Sequence, residues 1–110
     1  MPGFDDFLSS VRKKLTNLVK RNLQDHRDEA IADGKEFLEK ARADLERWTG
    51  LLAEGKLSRD DFEWLVAGKK DLAELTLLKQ KGLAQVRVDR FKNGLLDIVI
   101  DTAVDTFLPG

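Results

Sequence analysis

The chain contains no cysteine. That absence excludes disulfide bridges, thiolate zinc sites and a cysteine nucleophile, and it fits a reducing compartment. Its two prolines, Pro2 and Pro109, stand at the two ends, so residues 3–108 are free of the strongest helix breaker. No stretch reaches the roughly 18 apolar residues of a membrane-spanning helix. The opening Met-Pro-Gly-Phe-Asp-Asp has no charged head followed by an apolar run, so a secretory signal is not expected and a cytoplasmic setting is. The net charge is only −1, which gives no overall pull toward nucleic acid or an anionic membrane.

What is present is charge of both signs. Charged residues make up 35% of the 110, against about a quarter in an ordinary domain. The apolar fraction, 42%, suffices at this length for one modest core, and a single helical domain over 1–110 is expected. The charge is unevenly spread. Residues 1–23 carry a net +3 and residues 24–57 a net −3. A basic head beside an acidic middle suggests pairing within the chain or between subunits.

Residues 1–23 read as a basic amphipathic helix. Phe4, Leu8, Val11, Leu15 and Leu18 step by four and three, Phe7 and Val19 widen the stripe, and Arg12, Lys13, Lys14, Lys20 and Arg21 lie mostly opposite. Asp5 and Asp6 complement the helix dipole in the first turn. Asp25 and Asp28 are good N-caps, so a break or bend is expected within 24–29, with a continuous helix as the alternative. Residues 28–54 hold the most regular pattern. Ile31, Gly34, Leu38, Ala41, Leu45, Trp48 and Leu52 alternate steps of three and four, an a/d heptad line. Gly55 is the expected C-terminal stop. A third helix is expected over 58–81, opened by Ser58 and ended by Gly82.

Residues 83–108 are ambiguous. Lys92-Asn93-Gly94 suits a hairpin turn, and a β-hairpin over 85–101 is the minor alternative. Against it, the apolar run from Leu95 to Leu108 has no turn signal, and Asp97, Asp101 and Asp105 recur every four residues along one helix line. A helix so apolar needs cover on several sides, and a partner subunit is the expected source.

Motifs for chemistry are few. Gly55-Lys56-Leu57-Ser58-Arg59-Asp60-Asp61-Phe62 resembles the exit half of an EF-hand calcium loop over those eight residues. The resemblance would put Gly50, Leu52 and Glu54 at the first three ligand positions, and two of these have no side-chain oxygen. Calcium needs six or more oxygens, so no metal is expected there. His26 is the only histidine, too few for a paired Glu-x-x-His di-iron site, and no nucleophile motif accompanies it. The Asp97, Asp101 and Asp105 line reads as a solvated stripe, with pairing to Arg12, Lys13 and Lys14 or to Arg87 and Arg90 as the alternative. Trp48 and Trp64 flank the 55–61 turn and are expected to pack in the hairpin between the second and third helices, with an exposed interaction hot spot as the alternative. Residues 11–21 hold five bases but no aromatic, which does not suit single-stranded nucleic acid.

The expected fold is therefore all-α: an antiparallel bundle or helical hairpin of long amphipathic helices, completed by oligomerisation. The expected function is a non-catalytic self-assembly or adaptor module without cofactors. Its partner would be a second copy or another helical protein. Core and interface fall to Ile31, Leu38, Ala41, Leu45, Trp48, Leu52, Leu95, Ile98, Val99 and Phe107. The alternative is a peripheral membrane-surface protein that lays Phe4, Phe7, Leu8 and Val11 on anionic lipid.

Overall fold

The computed structural model describes residues 3–108. Among them 84% are helical and none lies in a strand, so the fold is all-α. Helix α1 spans Phe4–Asn22 and α2 spans Arg27–Ala53. Then follow α3 (Arg59–Ala67), α4 (Thr76–Gln80) and α5 (Gln85–Phe107). Short 3-10 turns at Gln24–His26 and Lys70–Leu72 join α1 to α2 and α3 to α4.

The bend expected within 24–29 is present. Leu23 leaves helical geometry and buries its side chain, and its N–H closes on the Val19 carbonyl at 2.7 Å. Arg87 of α5 fixes the bend from outside. Its guanidinium donates to both oxygens of Asp25, at 2.8 and 3.1 Å, and to the Asn22 carbonyl at 3.1 Å. That bidentate bond holds the Asp25 carboxyl below the ordinary aspartate range.

Helix α2 ends as its glycine dictates. Gly55 takes φ +72°, and the Gly55 and Lys56 N–H groups return to the Leu52 and Leu51 carbonyls. These two bonds form a Schellman cap, which satisfies carbonyls the helix leaves orphaned. Ser58 then opens α3 with a capping box: its Oγ accepts the Asp61 N–H at 3.1 Å, and the Asp61 carboxylate accepts the Ser58 N–H at 3.3 Å.

Two expectations need correction here. The single third helix over 58–81 is in fact α3, a 3-10 turn and the five-residue α4. The chain stops being α-helical at Gly68, and Leu75 enters the left-handed region at φ +52°. The hairpin alternative at 85–101 is also overturned. Helix α5 runs unbroken through Lys92-Asn93-Gly94. It buries Val88, Phe91, Leu95, Val99 and Thr102 on one face, with steps of three and four. Gly94 serves a close approach, not a turn: a Cβ there would stand 3.1 Å from Leu18 Cδ2. Gly34 does the same on α2, where a Cβ would come within 2.7 Å of Leu15. Helix α1 is thus bedded into α5 and α2 at two glycines.

One contiguous core joins all five helices. Phe7, Phe37, Phe62 and Phe91 are fully buried at its centre, each from a different helix. Helix α5 packs against α1, α2 and α3. The cover that its apolar circumference demands is therefore supplied within the chain. No described helix is long and apolar enough to cross a membrane.

Candidate functional site

Most of the residues expected to form core and interface lie in the core of the molecule. Leu38, Ala41, Leu45, Trp48 and Leu52 of the heptad line are buried, as are Leu95 and Val99. Ile31, Ile98 and Phe107 are half-buried against the same core. The heptad stripe is an intramolecular seam, filled by α1, α3, α4 and α5. The lipid-facing assignment also needs correction. Phe7, Leu8 and Val11 are buried, Phe4 is half-buried, and the Phe4 ring stacks 5.6 Å from Phe7 with the Arg42 guanidinium over it. The apolar face of α1 is occupied by its own neighbours.

Asp97, Asp101 and Asp105 form an exposed edge of α5. Only Asp101 has a charged partner among the described residues, and it is Arg59 of α3 at 3.2 Å rather than any base of α1. Lys14 reaches α5 by donating to Thr102 Oγ1 at 3.0 Å. His26 lies 3.6 Å from an Asp25 oxygen already engaged by Arg87, which leaves that carboxylate poorly placed to orient a base. Among the described residues no group of three or more histidines and carboxylates stands where it could hold a metal ion.

Of the two tryptophans flanking the 55–61 turn, one packs in the hairpin and the other, Trp64, takes the exposed alternative. Trp48 is buried beside the 55–61 turn, but Trp64 is 75% exposed. The local helix explains this. Phe62 and Val66, four apart, carry α3 into the core, and Trp64 lies midway between them on the opposite side. Burying a tryptophan would stabilise the fold by a few kcal/mol, so a surface position forgoes a large contribution.

Trp64 is flanked by two shallow clefts. One, about 410 Å³, is lined by Trp48, Trp64, Leu65, Ala67, Gly68 and Lys69. The other, about 250 Å³, is lined by Leu57, Asp61, Trp64 and Leu65. The Trp48 wall is electrostatically fixed. Arg47 and Lys69 each lie 5.9 Å from the Trp48 ring centre, and Asp44 holds both cations at 2.9 Å. The hydrogen bond from Lys69 keeps the Asp44 carboxyl below its ordinary range. Charge along this face is ordered. Asp60, Asp61 and Glu63 precede the apolar centre, and Lys69 and Lys70 follow it.

A second surface lies along α1. None of Arg12, Lys13, Lys14, Lys20 and Arg21 forms an ion pair among the described residues. Two separate clefts lie along the α1–α5 seam beside them, one lined by Lys14, Asn17, Arg21 and Ile98 and the other by Asn22, Arg90 and Asp97.

One buried group went unmarked in the sequence. Asp33 of α2 is 3% exposed, and its two oxygens accept the Leu77 and Leu78 N–H groups at 3.2 and 2.9 Å. It caps α4 from across the core. Burial pushes its carboxyl above the ordinary range, the two amide bonds pull the other way, and Glu36 and Glu29 add like charge. Both of its oxygens are engaged in holding the fold.

Compared with protein families, curated proteins and solved structures, the chain matches none.

Proposed function

We propose that the chain is a non-catalytic helical interaction module whose working surface is the Trp64 face of α3. The observation that carries this reading is a tryptophan 75% exposed between two apolar clefts, on a molecule whose other aromatic rings lie in or against the core. Exposed tryptophans beside apolar depressions are the usual anchors of protein interfaces. The heptad line no longer supplies the interface in this reading, because its residues are committed to the core.

The test is a photo-crosslinking amino acid placed at position 64 in living cells, with the same group at exposed Lys13 of α1 as control. The expected result is a discrete protein adduct at 64 that is absent at 13. Equal, diffuse labelling at both positions would overturn the reading.

A second reading rests on the unpaired cations of α1. With the apolar face of α1 buried, contact with anionic lipid would be electrostatic and on the surface, not inserted. It predicts salt-sensitive co-sedimentation with vesicles rich in anionic lipid, lost when Lys13 and Lys20 are both changed to Glu. Unchanged co-sedimentation of that variant would remove it.

A further inference from the structure

We infer that the Trp64 face binds a second copy of this chain, with two α3 helices antiparallel about a twofold axis that passes near Leu65. This rests on the interaction reading above and names the partner.

A twofold interface is self-complementary: if one residue meets another across it, the reverse contact is made as well. The Trp64 face meets that demand in shape. It carries a projection, the indole of Trp64, directly beside a depression of about 410 Å³ bounded by Trp48, Leu65, Gly68 and Lys69. Two copies face to face place each indole in the other's depression. There the indole meets the Trp48 wall and the Lys69 ammonium, an aromatic and a cation–π partner. Exposed Ala67 and Gly68 at the rim leave room for close approach.

The face meets the demand in charge too. Asp60, Asp61 and Glu63 lie on one side of the apolar centre and are exposed. None of the three has a cationic partner among the described residues. Lys69 and exposed Lys70 lie on the other side, where Asp44 already engages Lys69 and Asp71 adds one acid. An antiparallel pairing about Leu65 sets Asp60 of one copy opposite Lys70 of the other, twice over. A parallel pairing would set acid against acid and base against base. The charge order therefore selects the antiparallel twofold arrangement, and long-range attraction steers the copies into it.

The contact is one short helix with its neighbours, so it belongs with small, weak interfaces. Dissociation constants of roughly 10 µM to 1 mM are expected.

Sedimentation equilibrium across that concentration range tests the proposal, with far-ultraviolet circular dichroism on every variant to establish that it is folded. The wild type is expected to fit a monomer–dimer equilibrium. Trp64→Ser should weaken association at least tenfold while leaving the fold intact, because the indole is mostly in solvent. The decisive arm uses charge reversal. Asp60→Lys and Lys70→Glu should each weaken self-association about tenfold, since each sets like charges together twice. An equimolar mixture of these two variants should recover wild-type association, because both pairs are then opposite in sign again. A wild type that stays monomeric at about 1 mM overturns the proposal, and so does a mixture that associates no better than its parts. If the purified chain is monomeric while position 64 still captures a protein of another mass in cells, the second-copy partner fails and the interaction reading stands. If neither occurs, both fail.

Discussion

Helix α2 and the stretch from Gly68 to Ala84 contain residues of similar kind, yet they are held in different ways. Helix α2 runs 27 residues without a break, and its capping bonds are local. Its apolar residues return to one face every three or four positions, so any bundle would find the same stripe. The 68–84 stretch is a 3-10 turn, a left-handed leucine and a five-residue helix. A helix of five residues is far below the length that persists alone in water. It lasts because Leu78 is fully buried and because Asp33, 45 positions earlier, accepts its leading amides. One region is built from its own sequence and the other borrows its order from α2.

The largest effect is expected where α2 meets the core. Phe37→Ala removes a ring that is 1% exposed and should destabilise by about 3–5 kcal/mol. Urea unfolding would measure it, and the loss should fall on the whole molecule, in one transition. A shift below about 1 kcal/mol would mean that α2 does not anchor the core.

Asp33→Ala comes next. It leaves the Leu77 and Leu78 amides without their acceptor and should cost about 2–4 kcal/mol. Unlike the previous change, it should also loosen one region first. Amide exchange at Leu77, Leu78 and Lys79 should accelerate more than exchange in the middle of α1. Uniform acceleration would mean that α4 is not the dependent element described here.

This difference decides what the sequence could disclose. The stripes of α1 and α2, the bend at 24–29, the Gly55 stop and the Ser58 start are local signals, and each appears in the structure close to its expected place. Trp64 was legible in principle, since its neighbours Phe62, Leu65 and Val66 already mark a stripe that excludes it. The closeness of two tryptophans to one turn outweighed that signal. Asp33 and Leu75 were not legible. Nothing within several residues of Asp33 distinguishes a cap for a distant helix from another surface acid. Nothing around Leu75 announces a positive φ, because the cause is the burial of its own side chain. The cover of α5 was misplaced for the same reason. Its need for burial is local, whereas α1, α2 and α3 as the source are a property of the packed whole.

Leu75 sharpens the comparison at smaller scale. A left-handed leucine costs about 1–2 kcal/mol. Burying its side chain, which is 2% exposed, contributes about 1.5–3 kcal/mol, and burial wins. Truncation should therefore destabilise, but with an inverted order. Leu75→Gly should be more stable than Leu75→Ala by about 1 kcal/mol, because glycine alone accepts this φ without strain. Helical positions show the reverse, with alanine ahead by a similar margin. Thermal or urea unfolding of the pair would show the sign, and alanine ahead of glycine would mean that the backbone at 75 is helical.

The smallest effect concerns the proton on Asp33. Its folded carboxyl lies above the ordinary 3.8, chiefly because burial disfavours the charge. As pH rises above that ordinary value, the unfolded chain releases this proton first and the folded chain still holds it. Protons bound preferentially by the folded state make its stability fall with rising pH, until the folded value is passed and the loss levels off. Asp25 and Asp44 act in the opposite sense. Their folded carboxyls lie below the ordinary value, so what they contribute is present above it and lost as pH falls. The whole-protein profile mixes both signs, and a difference separates them. Asp33→Asn keeps one acceptor and cannot titrate, while Asp25 and Asp44 are present in both proteins and cancel. The stability of the wild type minus that of Asp33→Asn should therefore decline as pH rises above about 4 and level off once the folded carboxyl has titrated, read by urea unfolding at each pH. A difference that climbs over the same range would show that the Leu77 and Leu78 amides outweigh burial. Asp33 would then be a pinned anion, and α4 would be held by charge rather than in spite of it.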